Sequence, residues 1–123
     1  MKKKSNSQFA RDVLNREITA LKRTVKLIDN NFDDACDIIS KNKGKVITLG
    51  LGKSSYIAMK MAATLSSTGS AALFLHPVDP LHGDVGVIQK NDVVIIYSNS
   101  GETQEILKLI PLLKILKCPI ISI

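Results

Sequence analysis

The sequence predicts an α/β fold, a three-layer sandwich around a parallel sheet that is incomplete at its C-terminus. Three observations carry this reading. Short aliphatic runs alternate with helix-periodic segments at close intervals. The runs are continuous rather than alternating, as strands covered on both faces require. Polar loops follow three of the runs, at the strand ends where open parallel sheets bind ligands.

The elements follow in order. Residues 1–7 read as a disordered basic tail. From Phe9 the apolar positions Val13, Leu21, Val25 and Ile28 keep close to helical spacing, with Lys, Arg and Glu between them. Asn30-Asn31 interrupts the pattern, and Asn31 is the expected cap of a second short helix carrying Phe32, Ala35 and Ile39. Gly44 lies in the stretch that ends it. Val46–Leu49 reads as a strand, residues 53–67 as a helix closed by Gly69, and Ala71–Leu75 as a second strand. A Pro-bearing loop, His76–Gly86, leads to a third strand, Val93–Tyr97. Thr103–Leu116 is the next helix, with Pro111 inside it to kink it or be tolerated by its neighbours. Pro119–Ile123 reads as a fourth strand with no helix after it, so residues 8–123 are expected to be the N-terminal part of a longer domain.

Composition bounds the function. In 123 residues, 45% apolar and 23% charged, there is room for one soluble domain with a core. No apolar run approaches the roughly 20 residues of a membrane span. Met-Lys-Lys-Lys-Ser-Asn-Ser is not a secretory signal, so a cytoplasmic location is expected. The net charge of +6 owes half its excess to Lys2, Lys3 and Lys4, which read as solvated. Five aromatics leave little for stacking bases, so nucleic acid is not an expected partner. Cys36 and Cys118 lack metal-ligand spacing and read as buried, reduced thiols.

Three loops could carry chemistry. Ser98-Asn99-Ser100-Gly101-Glu102-Thr103 lies between a strand and a helix, where free N–H groups and the helix dipole favour an anion such as phosphate. Gly50-Leu51-Gly52-Lys53-Ser54-Ser55 resembles two nucleotide motifs and matches neither. Ser55 stands where the dinucleotide fingerprint needs its third Gly, and Ile47 where a P-loop needs its first. NAD and ATP are therefore not expected, and no cofactor is. A tight strand-to-helix turn accounts for the two glycines. Lys53 is the sharper clue, because a cation at a helix start opposes the dipole and calls for an anionic or polar partner. His76 and His82 share one loop with Asp79 and Asp84, yet their spacing is a weak metal signal. Glu102 and Glu105 are either first-turn acids capped by Ser98–Ser100 or hold a general base near a bound sugar; spacing does not decide.

Together the loops resemble the sugar isomerase (SIS) domain family, and within it the arabinose-5-phosphate isomerases. The matching residues are Val46–Ser54, Lys60–Gly69, His76-Pro77, His82-Gly83-Asp84 with Gly86, and Ser98–Glu102 followed by Glu105-Ile106. The resemblance covers residues 8–123 and implies a flavodoxin- or Rossmann-like sheet and interconversion of ribulose 5-phosphate and arabinose 5-phosphate through an enediol. It places Lys53, His82 and Glu105 at positions tied to catalysis. Ser98, Asn99, Ser100, Gly101, Glu102 and Thr103 match the phosphate turn. Ser54, Gly69, Ser70 and His76 match substrate-facing positions, with inhibitory zinc linked to the His76 position. Self-association as a dimer or tetramer is implied as well. The chain departs from the family at Ser55-Tyr56, usually Gly-His, and at Asp79-Pro80-Leu81, usually Glu-Ala. The family pattern runs on past Ile123, with a further acid, a further histidine and, in many members, paired CBS domains. The alternatives are a non-catalytic sugar-phosphate-binding module, as in SIS regulators, and a remnant that neither folds nor binds.

Overall fold

A computed structural model describes residues 4–123. It forms two compact units, one reaching to Asp34 and one spanning Ala35–Ile123. The first unit is dominated by helix α1 (Asn6–Val25). Ser5 and Gln8 build a capping box: Ser5 Oγ accepts the Gln8 N–H at 3.2 Å and Gln8 Oε1 accepts the Ser5 N–H at 3.0 Å. That box starts the helix at Asn6, so Asn6 and Ser7 are not part of the expected tail; residues 1–3 lie outside the described residues. Helix α2 (Asn30–Ser40) follows. Its cap is Asp29 rather than Asn31, since Asp29 Oδ1 accepts the Asn31 N–H at 3.0 Å.

The second unit holds a four-stranded parallel sheet of β1 (Val46–Gly50), β2 (Ala72–Leu75), β3 (Val93–Tyr97) and β4 (Ile120–Ser122) in the order β2-β1-β3-β4. Helix α3 (Lys53–Ser67) joins β1 to β2, two 3-10 turns (Asp79–His82 and Asp84–Val87) join β2 to β3, and α4 (Gln104–Ile115) joins β3 to β4. Every residue of β1 and β3 is buried, which is why both read as unbroken aliphatic runs.

Alternation along the strands sorts side chains onto two faces. Ile47, Leu49, Val94 and Ile96 join Ile106, Leu109 and Leu113 of α4 on one face. Val46, Ile95 and Tyr97 join Ala58, Met61 and Leu65 of α3, with Ile39, on the other. The result is the expected three-layer sandwich. Thr48, polar and fully buried toward α3, donates its hydroxyl to the Ala58 carbonyl at 2.8 Å. Pro111 leaves α4 unbroken. It has no N–H for the Leu107 carbonyl, but both residues are exposed, so water can take that bond.

At the N-terminal edge of the sheet, Asp92 ties β1 to β3. It accepts from the Lys45 N–H at 3.0 Å, the Gln89 N–H at 2.7 Å and the Lys45 ammonium. Cys118 is buried as expected, and burial raises its thiol pKa, with Asp92 adding to the rise. Cys36 is exposed on α2, against expectation, because the helix turns it away from its packed side. Among the described residues no helix is long and apolar enough to cross a membrane.

Candidate functional site at the C-terminal edge of the sheet

The strand order decides where the loops meet. From β1 the chain crosses to β2 on one side and returns by β3 on the other, so the topology switches direction at the β1/β3 boundary. That boundary is where doubly wound sheets open a binding crevice. Gly50 pairs in register with Tyr97 and Leu49 with Leu75. The loops beginning at Leu51, His76 and Ser98 therefore leave three adjacent strands at the same level, as the sequence reading expected.

Local sequence makes each turn possible. A Cβ on Gly50 would lie 2.7 Å from the Ser54 carbonyl oxygen, so only glycine lets α3 start this close to β1. Gly50→Ala is expected to destabilise the protein by about 1–3 kcal/mol through this overpacking, measured by urea denaturation; unchanged stability would show that the turn relaxes freely. Gly101 adopts φ +69°, a left-handed conformation that carries the Ser-rich loop into α4.

The two helices that start at this edge are both left open. Neither Gly52 before α3 nor Thr103 before α4 gives a side-chain cap. Ser98 and Ser100 do not cap α4, contrary to the capping alternative. Ser98 Oγ accepts the Gly101 N–H and Ser100 Oγ the Glu102 N–H, each at 3.1 Å, while Ser98 and Thr103 hydroxyls stand 3.3 Å apart. These bonds shape the loop and leave the first-turn N–H groups of α4 facing outward with the positive end of its dipole. Sequence reasoning named both the free N–H groups and the serines, and left open whether the serines cap the helix.

The named side chains distribute around this edge. Lys53 opens α3, exposed, and no carboxylate pairs with it among the described ion pairs. Ser54 is half-buried beside it. Glu105 is half-buried on the first turn of α4, while Asn99 and Glu102 are exposed. His76 directly follows β2, its Nδ1 accepting the Val78 N–H at 3.4 Å. His82 ends the first 3-10 turn, which packs against α4.

Two expectations fare differently. Gly69 and Ser70 close α3 and precede β2. The 15 residues of α3 carry the chain about 22 Å back to the N-terminal edge, so within one chain they do not join the other site residues. No group of three or more His, Cys, Asp or Glu that could hold a metal stands together among the described residues. His76 therefore gains no fellow ligands here, and the donor set does not fit a zinc ion.

This edge, with its switch point, paired open helix starts and Ser-rich turn, is the candidate ligand-binding edge of a doubly wound α/β domain. Residues 38–123 match the SIS domain, and the chain belongs to that family. It is 51% identical over 110 residues to the arabinose 5-phosphate isomerase KdsD of Francisella tularensis, covering 87% of this chain and 34% of that protein. Against the KdsD of Escherichia coli K12 the identity is 47% over 116 residues, covering 94% of this chain and 35% of the relative. The solved structure of Escherichia coli CFT073 c3406 in complex with arabinose 5-phosphate superposes with a TM-score of 0.86 at 37% identity, covering 97% of this chain and 65% of that one. The chain thus spans about a third of the length of the curated relatives it matches.

Proposed function

We propose that this chain carries the substrate-binding edge of a pentose-phosphate aldose–ketose isomerase acting on arabinose 5-phosphate and ribulose 5-phosphate. The observation that carries this reading is the pair of uncapped helix starts at adjoining strand ends, one bearing Lys53 and the other led by the Ser98–Thr103 turn. The named activity of the relatives and the arabinose 5-phosphate bound by c3406 support it.

The phosphate sits over the start of α4. The N–H groups of the first turn donate to it, and Ser100, having accepted from Glu102, keeps its own O–H proton to donate. With the phosphate fixed, the sugar extends toward β1 and the β2 loop, which presents its reacting carbons to side chains already in place. Glu105 moves the proton between C1 and C2, Lys53 stabilises the developing oxyanion, and His82 assists ring opening or proton transfer. The enediol route needs no redox cofactor. Residues 8–123 act as the N-terminal part of a SIS domain, in the cytoplasm, and self-associate as a dimer or tetramer. Nucleic acid is not a partner.

The test is ligand-dependent melting. Arabinose 5-phosphate at a hundredfold excess over its Kd stabilises by about 2.7 kcal/mol, and the Ser98→Ala/Ser100→Ala protein is expected to lose most of that shift. An equal shift in the double variant, or none in the native protein at millimolar ligand, overturns the phosphate site.

A further inference from the structure

Tyr97 ends β3 and is the one aromatic residue in the two central strands, which are otherwise mostly aliphatic. It is 8% exposed and joins Ala58 and Ile95 in the buried cluster on the α3 face of the sheet. The other buried hydroxyls between β1 and α3 are engaged within the fold. Thr48 donates to the Ala58 carbonyl at 2.8 Å and Ser55 to the Gly52 carbonyl at 2.6 Å. Among the described residues no hydrogen bond engages the Tyr97 hydroxyl, and no side-chain oxygen or nitrogen shut away from solvent lacks a partner. The hydroxyl is therefore the tip by which a buried ring reaches the surface.

Register places that tip. Tyr97 pairs with Gly50, on a neighbouring strand about 4.8 Å away. Gly50 is where α3 begins on top of β1, since a Cβ there would meet the Ser54 carbonyl and the Ser55 nitrogen. The phenol thus stands beside the first turn of α3, the turn that carries Lys53. Ile95, two residues back on the same face, is fully buried and closes the way toward the N-terminal edge. The hydroxyl emerges at the C-terminal edge, and the next residue, Ser98, opens the phosphate turn. Tyr97 accordingly lies between the two open helix starts, at the β1/β3 switch point.

Phenylalanine or leucine would fill this space with no polar tip to satisfy. Burial raises the Tyr97 pKa, so the phenol stays neutral near pH 7 and both donates and accepts. That pairing suits a sugar hydroxyl, which also does both. In the proposed reading the sugar runs from the start of α4 toward β1 and so passes this residue.

We propose that the Tyr97 hydroxyl binds a hydroxyl of the sugar chain, making Tyr97 a specificity-determining residue that favours sugar phosphates over bare phosphate. This rests on the function proposed above and adds a group that recognises the sugar rather than its phosphate.

Melting of the native chain and of Tyr97→Phe, with arabinose 5-phosphate and with inorganic phosphate, tests it. The ligand-free melting temperature is expected to hold, because the lost hydroxyl has no partner in the fold. The Kd for arabinose 5-phosphate is expected to rise about fivefold, the scale of one neutral hydrogen bond, and the Kd for inorganic phosphate to stay the same. A direct readout is available because the chain has no tryptophan and two tyrosines. Tyr56 is 70% exposed, and in a Tyr56→Phe background tyrosine emission reports Tyr97 alone. Arabinose 5-phosphate is expected to change that emission much more than inorganic phosphate does. Equal affinity for arabinose 5-phosphate in Tyr97→Phe overturns the role of Tyr97 and leaves the phosphate site standing. A lower ligand-free melting temperature in Tyr97→Phe also overturns it, by showing the hydroxyl engaged inside the fold. Equal weakening of both ligands overturns recognition of the sugar, and a native chain stabilised by neither ligand overturns the proposed site itself.

Discussion

Asp92→Ala is expected to lower the stability of the protein by about 3 kcal/mol, a fall in Tm of about 10–20 °C. Asp92 is 2% exposed and accepts three hydrogen bonds, from the Lys45 ammonium and from the backbone N–H groups of Lys45 and Gln89. Removing it orphans two part-buried backbone donors and leaves Lys45, itself largely covered, without its counter-charge. It also frees the start of β3 from the start of β1, the two central strands. Asp92→Asn keeps the shape and some acceptor capacity, so a smaller loss of about 1–2 kcal/mol is expected.

The pH dependence separates this from a simple packing defect. Burial works to raise the Asp92 pKa. The Lys45 side-chain hydrogen bond, the backbone N–H groups of Gln89 and Lys45 and the Lys45 charge outweigh it and hold the carboxyl below its ordinary value. A depressed folded pKa gives stability that is fully present above the unfolded value of about 3.9 and lost as pH falls through the folded value. The gap between native protein and Asp92→Ala should thus stay flat from neutral pH to about pH 5 and narrow below about pH 4. A gap that stays constant through acid would show that the carboxylate charge contributes nothing. Two-state melting of the native chain would itself dispose of the remnant reading.

Much of the fold was legible because its signals are local. β3 was read at Val93–Tyr97 and α3 at residues 53–67, both as the structure has them, since an unbroken aliphatic run and a helical period need no knowledge of partners. What was not legible depends on distant contacts or on backbone angles. The order β2-β1-β3-β4 is set by crossovers that no local pattern encodes. Asn31 and Asp29 are equally good caps by type; the turn that Asp29 enters decided between them. Asp92 sits in the polar string Gln89-Lys90-Asn91-Asp92, which reads as a surface turn, and only its pairing with Lys45, 47 residues away, makes it part of the interior. The site followed the same division. The convergence of the three loops came from strand polarity and was read correctly, whereas Gly69 and Ser70 entered by resemblance and the length of α3 carries them to the opposite edge. The free N–H groups at the start of α4 were legible, whereas the bonding of Ser98 and Ser100 to loop N–H groups instead of to the helix depends on backbone angles that no local pattern encodes.

Glu105→Gln is expected to reduce isomerase turnover by about 10²–10⁴-fold, with KM for arabinose 5-phosphate and the melting temperature nearly unchanged. The reasoning is geometric. Glu105 lies on the first turn of α4, within the helix whose N-terminus takes the phosphate in the proposed reading, and the following Ile106 is buried against the sheet. The carboxylate is therefore carried on a rigid element at a fixed offset from the phosphate, which is what a base acting on carbons several bonds away requires. Glutamine preserves size and half-burial but cannot accept the proton, so binding and folding should survive while proton transfer does not. Loss of kcat with KM held is the signature of an interaction used in the transition state alone. A reduction confined to KM would make Glu105 a binding group. Full activity in Glu105→Gln would remove it from the chemistry and shift the base to another group, with Glu102 on the preceding turn the first to replace. A native chain that is stabilised by pentose phosphate yet interconverts neither sugar would establish the same edge as a non-catalytic binding site, because the phosphate cradle needs only the backbone of α4 and the Ser98–Thr103 turn, whereas turnover needs Glu105, Lys53 and His82 to act on one substrate together.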